Sequence, residues 1–212
     1  MTPSCLSVGI AVAMATVLAI PGVNAAPDAR AVPHIDVAGA IPLPDVADAA
    51  DGTTVAVDGV SGLAWLGDDR WVAVMDTGTA FVTFALDLGA DGAPRAIRDV
   101  RAVRLAARHD YEDVAPCPAA VARRFAPAAG RCLLVCEEDT PAIRVVDGAG
   151  ALVGSVTIPA VLASRRENRG LEALCLGAGD AAVWTANEEA LAVDGPLPAR
   201  DVGTVVRLVE VP

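Results

Sequence analysis

Three stretches of this chain repeat one pattern, and that repetition limits the fold more than any other feature. The first reads VSGLAWLGDDRWVAVMD, from Val60 to Asp76. The second reads YEDVAP from Tyr111 and resumes after an insert as RCLLVCE, ending at Glu137. The third reads LEALCLGAGDAAVWTANE, from Leu171 to Glu188. Each copy sets a short apolar run, a turn rich in Gly and Asp, and a second apolar run in that order, which is how a β-hairpin is written. Further strands are expected at Phe81–Leu86, Ile143–Val146, Leu152–Ile158 and Val205–Val209, with Asp91-Gly92 and Asp147-Gly148 as turns. The copies start roughly 50–60 residues apart, and about four strands in that length make a propeller blade. The expectation is an all-β, β-propeller-like fold of about three four-stranded blades over residues 54–212, with a β-sandwich as the alternative. Closed propellers take about four to eight blades. Three blades therefore read as a partial or truncated propeller, whose open sheet edges invite self-association. The one helix expected is short, at Ala119–Phe125, inside the insert.

The start of the chain reads differently. Cys5–Ile20 is apolar, Pro21-Gly22 breaks the run, and Val23-Asn24-Ala25 supplies small residues. This is the layout of an export signal cut after residue 25 or 26. The run of about 16 residues is shorter than the roughly 20 that span a bilayer, and no later stretch is apolar enough to do so. Residues 1–25 are assigned as signal peptide and 26–53 as a lead-in with one strand near Ile35–Leu43. The mature protein is expected in the periplasm or outside the cell. With a net charge of −11, it is a poor partner for nucleic acid and a better one for cations. Cleavage would leave Cys117, Cys132, Cys136 and Cys175. Cys117 and Cys132 flank the insert and are the favoured disulfide. Cys136 and Cys175 stay open between a second bridge and two free thiols. With His34 and His109 as the only histidines and no C-x-x-C, a zinc site is not expected.

Aligning the repeats produces two polar columns. Ser61, Glu112 and Glu172 open the copies, and Asp76, Glu137 and Glu188 close them. Innermost propeller strands converge on a central axis, so such columns bring carboxylates together. Clustered carboxylates repel unless a cation lies among them or their pKa values rise. Asp76, Glu112, Glu137, Glu172 and Glu188 form the candidate metal set. Ca²⁺ is the matching ion, because it takes six to eight oxygen ligands. Asn187, Asn168 and Ser61 are neutral oxygens that stand close in sequence. Solvated turn carboxylates remain the plain alternative. Arg169 offers a planar fork to phosphate or carboxylate, or an ion pair beside Glu172. Nucleophilic catalysis finds little support. No G-x-S-x-G elbow occurs, and a Ser61–His109 dyad is a remote alternative.

Four blocks carry a family resemblance: VSGLAWLGDDRWVAVMDTG, DYEDVAP, EEDTPAIRVVDGAGALVGSVTIP, and NRGLEALCLGAGDAAVWTANEEAL followed by DGP and GTVVRL. Across most of residues 55–209 the chain resembles the phytase-like domain family, "esterase-like activity of phytase". Members of that family resemble propellers and are mostly exported bacterial proteins. The resemblance implies hydrolysis of phosphate or carboxylic esters, and puts Ser61, Glu112, Arg169, Glu172 and Glu188 at motif positions. Glu112, Glu172 and Arg169 are the candidate catalytic residues. The chain is expected to stop where family members continue through further blades, and its Cys117–Cys132 insert departs from the pattern. Two functional readings follow, a metal-assisted esterase or phosphoesterase and a non-catalytic module that binds a ligand or surface partner. A truncated, inactive product is the third.

Overall fold

The computed structural model describes residues 36–76, 78–125, 131–167, 169–177, 179 and 182–211. The proposed signal peptide, His34 and Asn168 lie outside these. Contacts group the chain into two units, Pro44–Ala85 with Asp99–Pro212, and Met1–Leu43 with Leu86–Arg98. No helix among the described residues is long and apolar enough to cross a membrane.

The architecture is all-β and propeller-like. The strands are β1 (Val46–Ala49), β2 (Thr54–Ala56), β3 (Val60–Gly67), β4 (Arg70–Met75), β5 (Ala80–Leu88), β6 (Pro94–Arg104) and β7 (Tyr111–Pro116). After helix α1 (Ala119–Phe125) come β8 (Cys132–Glu137), β9 (Ala142–Asp147), β10 (Leu152–Val156), β11 (Leu171–Leu176), β12 (Val183–Asn187) and β13 (Leu208–Val211). They build three sheets, ordered β2-β1-β6-β5-β4-β3, β10-β9-β8-β7 and β11-β12-β13. The second is the four-stranded blade expected. The first is such a blade extended at its outer side, where β1 pairs parallel with β6 and antiparallel with β2. The third has three strands among the described residues.

The strand anticipated near Ile35–Leu43 lies further along the chain. Residues 36–43 hold a single bridge position at Ile41, and the strand is β1. Pro42 and Pro44 explain the displacement, since neither has an N–H to donate to a ladder. Helix α1 falls on the expected residues.

Packing follows the period-2 alternation of strands. Every residue of β8 is buried. Leu133 and Val135 point to a core shared with Val72, Val74 and Phe81 of the first repeat and its flank, and with Tyr111 of β7. Cys132, Leu134 and Cys136 point the other way, to a core shared with Leu171, Leu174 and Val183 of the third. This is why the sequence CLLVC is continuously apolar: the strand is sandwiched between two neighbouring blades. A short 3₁₀ turn at Ala160–Ser164 drops Leu162 into the second core. Innermost strands β3, β7 and β11 lie against one another in that order. In the smaller unit, Asp87–Arg98 and Asp91–Arg95 ion pairs brace the turn around Gly92.

The four described cysteines are thiols here. Cys136 is buried with its Sγ 3.8 Å from the Leu171 carbonyl, whereas Cys175 is exposed, as the alternation beside buried Leu174 requires.

Candidate functional site

The three inner hairpins share one irregularity. Register shifts occur between Val60 and Gly62 against β4, between Tyr111 and Asp113 against β8, and between Leu171 and Ala173 against β12. Each is a β-bulge, and the extra residue is Ser61, Glu112 or Glu172. Bulges bend a strand and re-aim a side chain. Here they turn the whole first polar column out of the ordinary ladder.

The second column is displaced by one residue in the middle blade. Val60 pairs with Met75, Tyr111 with Glu137 and Leu171 with Asn187. The following residues donate equivalent backbone bonds: Asp76 N–H to Gly59 O at 2.8 Å, Glu138 N–H to Asp110 O at 2.9 Å, and Glu188 N–H to Gly170 O at 3.1 Å. Asp76, Glu138 and Glu188 are therefore the column, and Glu137 is not in it. A slip of one residue moves a side chain to the opposite face. Glu137 accordingly sits 1% exposed on the far side, where Arg144 Nε donates to its Oε2 at 2.9 Å and Nη2 completes the ion pair at 2.9 Å. His109 stands 3.7 Å from Glu137 and 3.6 Å from Asp139, edge-on to Tyr111. Asn187, in the same register as Glu137, accepts the Arg207 N–H and is likewise turned away from the column.

The structure gathers Asp76, Glu112 and Glu172, and adds Asp110 and Glu138, which reading the sequence missed. One oxygen from each of Asp76, Asp110 and Glu112 lies within 4.8 Å of the others, as does one from each of Glu112, Glu138 and Glu172. Glu112 belongs to both groups. Burial pushes the Glu112 carboxyl up to about 8, with repulsion from Glu172, Asp110, Asp76 and Glu138 adding to it. Glu172 rises to about 7, first by burial and then by Glu188, Glu138 and Asp110, against a lowering by Arg169. Asp76 is raised by its contact with Asp110 and by burial. Asp110 Oδ1 is buried without a hydrogen-bond partner. Arg169, whose charge lowers Glu172, makes its ion pairs with Glu188 and Glu189.

Cross-blade hydrogen bonds hold this rim. Ser61 Oγ donates to Tyr111 O at 2.6 Å and Tyr111 N–H to Asp76 O at 2.9 Å. Asp113 accepts the N–H of Leu174 at 2.7 Å, and Glu138 accepts that of Gly170 at 3.2 Å. Two glycines permit the close approach. A Cβ on Gly62 would stand 2.5 Å from Asp113 Cα, and one on Gly170 would stand 2.4 Å from the Glu138 carbonyl. Ser61 thus spends its hydroxyl proton on a carbonyl, and no hydrogen bond joins it to His109.

Arg169 lies at the edge of the cluster. Its Nη1 donates to both Glu188 oxygens at 2.7 and 2.8 Å, and its Nε is 3.3 Å from Glu189. Glu188 is thereby the partner of Arg169, where the sequence pointed to Glu172, and reaches the five-carboxylate cluster only through its charge on Glu172.

Compared with known families, residues 55–212 match the family Phytase-like, described as esterase-like activity of phytase. No curated protein matches the chain.

Proposed function

The chain belongs to the Phytase-like family, esterase-like activity of phytase, and on that basis we propose that it is an exported hydrolase of phosphate or carboxylic esters assisted by a divalent cation. The observation that carries the reading is the convergence of Asp76, Asp110, Glu112, Glu138 and Glu172, beside which Arg169 is bound to Glu188 and Glu189. Oxygen-only donors suit a hard ion, and Ca²⁺ fits this set best. Asp110 Oδ1, buried and unpartnered, is the kind of atom such an ion satisfies. When bound, the cation neutralises charge on the ester and lowers the pKa of a water.

The protein's own groups have definable parts in that reading. Without a cation, burial and crowding raise Glu112 to about 8 and Glu172 to about 7, so both exchange protons near neutrality. A bound cation would offset the repulsion and favour their ionised forms, leaving whichever carboxyl does not ligate it to serve as general acid or base. Arg169 is bound to Glu188 and Glu189, and offers its fork to an anionic substrate at the rim by sharing it with them. Gly62 and Gly170 keep neighbouring blades close enough for the carboxylates to meet. Export rests on the apolar Cys5–Ile20 segment and the small residues after it, with residues 1–25 removed and the product periplasmic or extracellular. Self-association rests on β13, which pairs with β12 alone among the described strands.

A second reading, a non-catalytic module that binds a cation or ligand at the same rim, is favoured by Ser61 being tied to the Tyr111 carbonyl and by His109 facing Glu137 and Asp139. Calcium titration by calorimetry, run on wild type, Glu112→Gln and Glu172→Gln, separates the readings when paired with p-nitrophenyl phosphate and p-nitrophenyl acetate assays. Binding and turnover that are both lost in the variants support the hydrolase. Binding without turnover of either ester leaves the binding module. A folded wild type that binds no calcium refutes the metal-assisted mechanism.

A further inference from the structure

We infer that Cys117 and Cys132 form a disulfide that staples the root of the α1 insert, independently of whether the protein hydrolyses esters. The two residues continue the β7–β8 ladder directly beyond the Pro116–Leu133 pair, and the Cys117 N–H donates to the Cys132 carbonyl at 3.0 Å. A hydrogen-bonded antiparallel pair has Cα atoms about 5.5 Å apart. That lies inside the roughly 4.4–6.8 Å range disulfides occupy. The Cys132 thiol also lies close enough to raise that of Cys117. Neither of the other described cysteines is so placed. Cys136 is buried against the Leu171 carbonyl, and Cys175 is exposed on β11.

The staple has something to hold. Helix α1 has seven residues and no buried side chain of its own. Isolated helices of that length are unstable in water. Val121, Ala122 and Phe125 pack against the core between the second and third blades, and the Phe125 ring lies over Gly154 of β10. A bond between Cys117 and Cys132 closes the chain immediately before the helix and immediately after the insert. This limits how far α1 can leave that surface.

Formation balances as thiol–disulfide exchange with glutathione disulfide or a protein disulfide as oxidant. The thiolate of one cysteine attacks a sulfur of the oxidant and displaces one thiolate. The second cysteine's thiolate then attacks the mixed disulfide and displaces the other. Two thiols lose two protons and two electrons, and one disulfide of the oxidant becomes two thiols. In the folded chain burial raises the Cys117 thiol far above its ordinary value and its contact with Cys132 raises it further, so thiolate is scarce. The bond is therefore made during folding, before α1 covers the site.

The full chain, reduced and denatured, would be refolded in reduced and oxidised glutathione. Remaining thiols would be blocked, and the protein digested with trypsin without reduction. The expected product is the peptide His109–Arg123 joined to Cys132–Arg144, with fragmentation placing the bond on Cys132 rather than Cys136. The link should persist in Cys136→Ala and vanish in Cys117→Ala. Trypsin cleavage at Arg123 and Arg124 of the native protein should quicken severalfold on reduction. A folded wild type in which Cys117 and Cys132 are both blocked would overturn the proposal. So would a bond that fragmentation places on Cys136, or a cleavage rate indifferent to reduction.

Discussion

Glu112→Gln should flatten the pH dependence of stability in the absence of divalent cations. The carboxyl of Glu112 stands at about 8 in the folded protein against an ordinary 4.5. Between these values the folded chain keeps a proton that the unfolded chain has released. The stability from holding that proton is fully present below pH 4.5, falls as pH rises, and is gone above about 8. At about 1.4 kcal/mol per pH unit, the whole displacement would amount to roughly 5 kcal/mol. Glu112 is only half-buried, and solvent screening reduces the expected loss to about 2 kcal/mol. For a chain of this size that is a fall in Tm of about 4–8 °C. The assay is thermal unfolding followed by circular dichroism from pH 5 to 9 in chelator. Wild type should lose stability steadily as the pH rises, the variant should lose much less, and added calcium should restore wild type above pH 7. Parallel profiles for wild type and variant, or a wild type that gains stability over this range, would refute the argument that the cluster is crowded and desolvated.

Three further outcomes are expected. Calcium affinity should drop at least tenfold in Glu138→Gln and stay unchanged in folded Glu137→Gln, since only Glu138 stands with Glu112 and Glu172; calorimetry on both variants checks the one-residue register. Arg144→Ala strands the Glu137 carboxylate in the interior and should cost about 3 kcal/mol, read from the urea midpoint. Gly62→Ala forces a methyl against the Asp113 backbone and should cost about 1–3 kcal/mol, while weakening calcium binding because it spreads the first two inner strands.

Much of this protein was legible along the chain. Alternating apolar runs bounded by Gly and Asp located the hairpins, the insert helix fell on Ala119–Phe125, and the repeat aligned Ser61 with Glu112 and Glu172. These are local properties, carried by residues a few positions apart. The second column was read as Asp76, Glu137 and Glu188 because LLVCEED offers two adjacent glutamates, and composition does not say which closes the strand. The ladder register decides it. Tyr111 pairs with Glu137 as Val60 pairs with Met75 and Leu171 with Asn187, so Glu137 turns inward to Arg144, while Glu138, the counterpart of Asp76 and Glu188, turns to the rim.

Asp110 escaped notice for a related reason. It occupies the position of Gly59 and Gly170 in the other repeats, so no polar column marks it. Its contribution exists only where β7 lies between β3 and β11. Sequence alone determined that the chain forms strand-rich repeats, because side-chain alternation and turn chemistry act over neighbouring residues. Tertiary structure alone decided which carboxylates meet and that Arg169 serves Glu188 rather than Glu172, whereas the Cys117–Cys132 pair was already marked by its place on either side of the insert. The first two outcomes depend on ladder register and on contacts between blades, where a displacement of one residue exchanges one face for the other.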